Sequence, residues 1–220
     1  DKRKQTEQAL LEAKSEAERL AAELLKQSNQ DGLTGIPNRR AFDQFLQEEW
    51  NRAIRQHNVL SLIICDIDHY KSYNDYYGHQ QGDESLIRIA QTLQQSTRRE
   101  GEMVARYGGE EFAIVLANAN LGTAQELAEQ MRQAVLQLRI EHIGASHDSC
   151  LTASFGVSSI MPVVGSTASV LVSAADRVLY EAKAQGRNSV VAKMAKGEMI
   201  KENTPAYVIP QSNSDITDVR

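Results

Sequence analysis

The chain has 220 residues, 41% of them hydrophobic and 24% charged, with a net charge of −5. That composition excludes a disordered polymer, and the acidic balance argues against a general nucleic-acid binder. Two cysteines, Cys65 and Cys150, lie far apart, which excludes a disulfide framework or a thiolate zinc site and suits a reducing cytoplasm.

Residues 1–29 are rich in Ala, Leu, Glu, Lys and Gln, the strong helix formers. Leu10, Ala17 and Leu24 recur every seven residues, with Ala13 and Leu20 in the intervening apolar register. This seam predicts a short coiled coil and hence a homodimer. No apolar run reaches transmembrane length and no signal peptide opens the chain, so no membrane insertion by this segment is expected. The first residue is Asp1 rather than Met, so a longer parent protein is expected.

Turn residues Asp31 to Asn38 break the first helix. A second amphipathic helix is predicted over about 38–56, anchored by Phe42, Leu46 and Ile54. Val59–Cys65 is almost unbroken apolar sequence and reads as a buried strand, with Asp66 and Asp68 at its outlet. A short helical stretch runs to Gly78, and a further helix carries Leu86, Ile89, Ala90 and Leu93 on one face. Val104–Tyr107 and Phe112–Leu116 read as strands joined by a Gly108-Gly109-Glu110-Glu111 hairpin. A helix over 121–140, a strand over Leu151–Ile160, a helix over 168–186 and a strand over Val190–Ala192 complete the pattern. The remainder, 193–220, is polar and aperiodic, and a disordered tail is expected there. Alternating strands and helices interrupted by one hairpin predict an α/β fold with a mixed, mostly antiparallel sheet flanked by helices.

The chemistry lies at two of these boundaries. If the hairpin lies beside the first strand, Asp66, Glu110 and Glu111 converge at one sheet edge. Converging carboxylates repel unless a proton or cation joins them, and hard oxygen donors without thiolates favour magnesium or manganese. Taken alone, the four residues are equally a hairpin with exposed acids. Lys71, Arg106, Lys183 and Arg187 supply cations near the same ends, each also readable as a solvated surface charge. Asn74 and Asp83 offer an amide and a carboxylate that could read the edge of guanine. Asp83, between Gly82 and a helical pattern, also reads as an N-cap.

Gly108-Gly109-Glu110-Glu111-Phe112 resembles the signature of GGDEF-type diguanylate cyclases in its Glu-containing form. Asp66-Ile67-Asp68-His69-Tyr70-Lys71-Ser72-Tyr73-Asn74-Asp75 resembles the family's other main motif, continued by Gly78-His79 and Gly82-Asp83. Asp31-Gly32-Leu33-Thr34 is similar to its opening motif and Ala182 to Asn188 to its closing motif. The resemblance covers about 31–192. It implies a nucleotidyl-cyclase or polymerase-palm-like fold and a metal-dependent condensation of two GTP into cyclic di-GMP by a dimer. It further implies metal binding by Asp66, Glu110 and the Ile67 carbonyl, with Glu111 completing the acidic site and with Mg2+ or Mn2+ as cofactor. Backbone groups near His69 and Tyr70, together with Lys71, would hold the β- and γ-phosphates. Lys183 and Arg187 would add charge against the triphosphate, while Asn74 and Asp83 read guanine beside His79. The expected organisation is a coiled-coil signalling helix over 1–30, a cyclase domain over 31–192 and the tail over 193–220, with an upstream sensor domain in the same polypeptide. At the positions of the family's Arg-x-x-Asp product-inhibition site the chain reads Arg99-Glu100-Gly101-Glu102, where Glu102 keeps the charge and reaches one methylene farther. The competing reading is a catalytically inactive GTP-binding or dimerisation module on the same fold.

Overall fold

The computed structural model describes residues 28–196 apart from 98 and 144–148, together with positions 4, 7, 8, 13–16, 19 and 20, which are helical. Leu10, Ala17 and Leu24 of the expected coiled-coil seam, and 197–220 of the expected tail, lie outside the described residues. In chain order the elements are α1 Arg39–Gln56, β1 Leu60–Ile67, α2 Tyr70–Tyr77, α3 His79–Ser96, β2 Glu102–Gly108, β3 Glu111–Ala117, α4 Leu121–Gln137, β4 Ala153–Ile160, α5 Ser169–Ala184 and β5 Val190–Met194. The strands form one sheet in the order β2-β3-β1-β4-β5. β1 pairs antiparallel with β3 and with β4, β2 pairs antiparallel with β3, and only β4 and β5 run parallel. The mixed, mostly antiparallel sheet expected from the sequence is the one observed.

β1 is buried along its whole length because it is the central strand, with a neighbour on each edge and helices on each face. Its side chains alternate between two cores. Ile63, Cys65 and Ile67 join Phe112, Ile114 and Phe155 beneath α3 and α4, where Leu86, Ile89, Leu93, Ala128 and Met131 pack. Leu60, Leu62 and Ile64 face Phe42, Leu46 and Trp50 of α1 and Leu171, Ala175 and Leu179 of α5. On this second face the sheet and α5 approach closely at Gly156, where an added Cβ would stand 2.3 Å from the Leu179 nitrogen and 2.4 Å from the Ala175 carbonyl oxygen. Both neighbours are backbone and cannot turn away, so the position admits no side chain.

The ends of the helices are set locally. The Asn38 side chain accepts the Ala41 N–H at 3.1 Å and starts α1, and Asn120 does the same for Thr123 at 2.9 Å to start α4. Asp83 is not an N-cap. Gly78, with φ of +82°, precedes α3, which starts at His79 and therefore contains Gly82 and Asp83. Gly82 lies within the first turns of α3, where it packs against Asn74.

The segment between α4 and β4 buries a histidine. His142 is fully buried, and its ring meets Tyr73 edge-on at 5.5 Å between centroids and Tyr77 at 6.5 Å. Among the described residues neither ring nitrogen has a hydrogen-bond partner. Burial pushes its pKa below the usual imidazole value against the pull of the nearby His69 main-chain carbonyl, and the charge of the His69 imidazole adds to the lowering. Below about pH 6.5 the unfolded chain takes a proton that the folded one refuses. Stability is therefore fully present above that value and falls as the pH drops below it. His142→Phe keeps the ring packing and removes the titration. It is expected to gain about 1 kcal/mol below pH 6 and to flatten the change in urea midpoint between pH 7 and 5. A slope unaltered by the substitution would assign the pH dependence to other groups.

Candidate active site

β1 extends two residues beyond the predicted strand, so Asp66 sits inside the ladder, opposite Glu111 of β3 and Ser154 of β4. The turn between β2 and β3 is tighter than the four-residue hairpin expected. Glu111 is already the first residue of β3, and Glu110 lies in the turn. The tip meets the outlet of β1 directly, because the Ile67 N–H donates to the Glu110 carbonyl oxygen at 3.3 Å. Asp66, Ile67, Glu110 and Glu111 are thereby gathered at one edge of the sheet. Lys183, from the last turn of α5, reaches the same edge and places its Nζ 2.9 Å from Asp66 Oδ2.

The carboxylates here are held against their preference for water. Burial, and then the negative charges of Glu110 and Asp68, push the Asp66 pKa up against the pull of Lys183. Burial and then Asp66 push up that of Glu111, with the nearby Asp176 of α5 adding to it. Such an edge lowers its energy by taking up positive charge. Among the described residues no three acid, imidazole or thiol side chains form a closed metal cage. Two carboxylates and a peptide carbonyl do match the way magnesium is held, by few protein oxygens with the remainder supplied by water and phosphate. The donor set at Asp66, Glu110 and Ile67 fits a hard divalent ion on that ground.

A second group forms on the two helices that follow β1. His69, with φ of +56°, precedes α2, and Lys71 stands exposed in its first turn. Tyr70 is buried, so its side chain belongs to the packing and only its backbone is open to a ligand role. Asn74 and Gly82 are in contact across the α2–α3 corner: a Cβ on Gly82 would fall 1.9 Å from Asn74 Oδ1 and 2.8 Å from the Tyr70 hydroxyl. Among the described residues Asn74 Oδ1 is buried without a hydrogen-bond partner, while the Asn74 side chain also bonds the Tyr70 hydroxyl. Asp83 follows on the same turn and is exposed, close enough for its charge to act on Tyr70. His79 is exposed at the start of α3, and Arg187 is exposed in the turn after α5 with φ of +65°.

Arg99 and Glu102 are elsewhere. Glu102 begins β2, six residues before the hairpin end and so about 20 Å away along the strand. Its Oε2 accepts the Arg99 N–H at 3.0 Å, and both residues line an open groove of about 440 Å³ with Asn118, Thr123 and Glu126.

Arg106 is not a free phosphate cation. Its Nη1 pairs with both Asp31 carboxylate oxygens at 3.0 and 3.2 Å, and its Nε donates to the Gly109 carbonyl at 2.9 Å. Burial alone would raise the Asp31 pKa, but Thr34 and Arg106 outweigh it and hold it low. The opening turn is thus a clamp on the hairpin tip. Sequence reading missed this pairing because 75 residues separate the partners. It also gave Asp68 no role, although this carboxylate is 3% exposed and accepts from Thr152 Oγ1 at 2.7 Å and Ser154 Oγ at 2.6 Å. A charged residue two places after a buried strand residue was the available signal.

Comparison with known proteins bears on the whole arrangement. The profile of a family described as "Diguanylate cyclase, GGDEF domain" matches residues 28–189. Diguanylate cyclase VdcA of Vibrio cholerae is 41% identical over 172 residues, 77% of this chain and 48% of that protein. Diguanylate cyclase DgcM of Escherichia coli is 35% identical over 178 residues, 81% of this chain and 42% of that protein. The chain thus spans about half or less of the curated relatives it matches. Among solved structures, the coiled coil and GGDEF domain of DgcB from Caulobacter crescentus, in complex with c-di-GMP, superposes with a TM-score of 0.72 at 30% identity, covering 84% of this chain and 97% of that one.

Proposed function

Since this chain belongs to the GGDEF family of diguanylate cyclases, we propose that it condenses two GTP into cyclic di-GMP and two pyrophosphates, as a homodimer and with a divalent metal. The observation that carries the reading is the hydrogen bond from Ile67 N–H to the Glu110 carbonyl, which joins the hairpin tip to the end of β1 beside Asp66.

Each protein group then has a task. Asp66, Glu110 and the Ile67 carbonyl would hold Mg2+ or Mn2+, which when bound supplies positive charge against the α-phosphate and the departing pyrophosphate. Lys183 already lies on the acidic edge, and Lys71, Arg187 and the backbone near His69 and Tyr70 add positive charge and donors for the remaining phosphates. The unpaired Asn74 Oδ1 accepts from guanine N–H groups, which Asp83 also addresses, beside His79. One domain holds one GTP. Two domains must therefore face each other, so that each 3′-hydroxyl attacks the partner's α-phosphate, the bond to pyrophosphate breaks, and the proton passes to the acidic edge. The protein's work is mainly positioning and charge stabilisation. The coiled-coil seam over 1–30 and a sensor domain upstream would govern how the two domains meet. Product feedback at Arg99 and Glu102 belongs to the same proposal, the groove beside them being the surface it would use. No helix among the described residues is long and apolar enough to cross a membrane; a place on the cytoplasmic side is part of the proposal.

The test is product analysis after incubation with GTP and magnesium, with and without excess EDTA. Cyclic di-GMP is expected in the first and none in the second. Bound GTP that is never converted would favour the inactive-module reading, and conversion in EDTA would remove the metal from the mechanism.

A further inference from the structure

The turn after α5 is held in an unusual conformation. Gly186, Arg187 and Asn188 have φ of +113°, +65° and +43° in succession. Two of the three carry side chains, which disfavour this region, so the surroundings must hold them there. Two contacts do so. The Asn188 N–H donates to Asp68 Oδ2 at 3.0 Å, and Asn188 Oδ1 accepts from Arg132 Nη1 at 2.6 Å. Asp68 is itself fixed, its two oxygens also accepting from Thr152, just before β4, and from Ser154 of β4. Arg132 comes from α4, on another side, and forks Glu129 through Nε at 2.9 Å and Nη2 at 2.7 Å.

We propose that Asp68 and Arg132 are positioning residues for the triphosphate, acting through the turn Gly186–Asn188 that carries Arg187 and begins three residues after Lys183. This rests on the function proposed above. Arg132 brings no net charge of its own, because Glu129 neutralises it. It reaches the turn through Asn188 Oδ1, which accepts from Arg132 Nη1 at 2.6 Å. The turn follows the helix end whose Lys183 meets Asp66, so slackening it frees Arg187 and loosens the approach of Lys183 together. Asp68 ties the turn to β1 two residues beyond Asp66, which sets the cationic and acidic sides of the site in one frame.

The informative variants are Arg132→Ala and Asn188→Gly. Glycine tolerates positive φ and keeps the N–H for Asp68, so Asn188→Gly removes the side-chain anchor to Arg132 and spares the Asp68 contact. Each is expected to raise KM for GTP about ten-fold with kcat within about two-fold, and the two together to be no worse than either. In an Arg187→Ala background, Arg132→Ala is expected to cost less than it does alone, the remainder passing through Lys183. A purely structural role would instead lower the melting temperature and act additively with Arg187→Ala. Amide exchange of the peptide spanning 186–189 is followed in nucleotide-free protein, where Arg132→Ala is expected to lower protection. Unchanged protection overturns the clamp whether or not the wild-type chain turns over GTP. Lower protection with unchanged KM, in an active wild type, overturns the positioning role alone. A wild type that makes no cyclic di-GMP overturns the proposed function and the positioning role with it.

Discussion

Asp66→Asn is expected to lower the rate of cyclic di-GMP formation by about 10³-fold or more while leaving the unfolding free energy within about 1 kcal/mol of wild type. The two halves of this result have different causes. The carboxylate is one of two that would hold the divalent ion, and a neutral amide supplies neither the charge nor the same oxygen affinity. Losing several kcal/mol of charge stabilisation corresponds to at least three orders of magnitude in rate. Stability responds differently because Asp66 is held at some cost. It is nearly buried, it faces Glu111 across the ladder, and burial and like charge both push its pKa up. Asn relieves that repulsion. What is lost is the pairing with Lys183, whose side chain is 31% exposed and can turn to water. Glu110→Ala is expected to stop turnover in the same way with the hairpin intact, because the bond that seats the tip uses the Glu110 main-chain carbonyl. Initial rates with GTP and magnesium, beside urea unfolding without nucleotide, separate the two quantities. A rate above one tenth of wild type in either variant would remove the acidic edge from catalysis, and an unfolded Asp66→Asn would make the edge structural.

The sheet and its order of elements were legible because each helix and strand carries its own period. The nearly unbroken apolar run before Asp66 reads as a buried strand, and the glycine pair between two apolar runs reads as a hairpin turn. Strand ends were less legible. Asp66 and Ile67 belong to β1 because β3 and β4 supply ladder partners on both sides, and pairing of that kind is absent from local sequence. The acidic edge was inferred from proximity of motifs, and the register bears out that proximity. The long-range polar contacts were not legible. Nothing near Arg106 announces Asp31, and nothing near Arg132 announces Asn188, because a cation's choice among many acids and carbonyls is settled only by the fold. Asp83 shows the opposite failure: a local rule, glycine before a helix, offered an N-cap there, whereas α3 starts at His79 and runs through Gly82, which packs against Asn74.

That contact makes a test of base recognition separate from chemistry. Gly82 lies inside α3, where Ala would ordinarily stabilise by about 1 kcal/mol through helix propensity. Its added Cβ would stand 1.9 Å from Asn74 Oδ1 and 3.0 Å from Asn74 Cγ, so the Asn74 side chain must swing away. The displaced atoms are the end of a flexible side chain, which keeps the structural cost small. The Tyr70 hydroxyl, 2.8 Å from the same Cβ, must shift as well and offsets part of the propensity gain. Gly82→Ala is therefore expected to unfold at a melting temperature equal to or slightly above wild type. Losing one or two hydrogen bonds to guanine corresponds to a weakening of GTP binding by about 10- to 100-fold. The loss should appear in KM far more than in kcat, since the acidic edge is untouched, and preference for GTP over ATP should fall with it. Isothermal titration with a non-hydrolysable GTP analogue, beside thermal melts, reads both. Undiminished affinity would mean that Asn74 does not read the base, whereas lost affinity with a sharply lowered melting temperature would mean that the α2–α3 corner had collapsed.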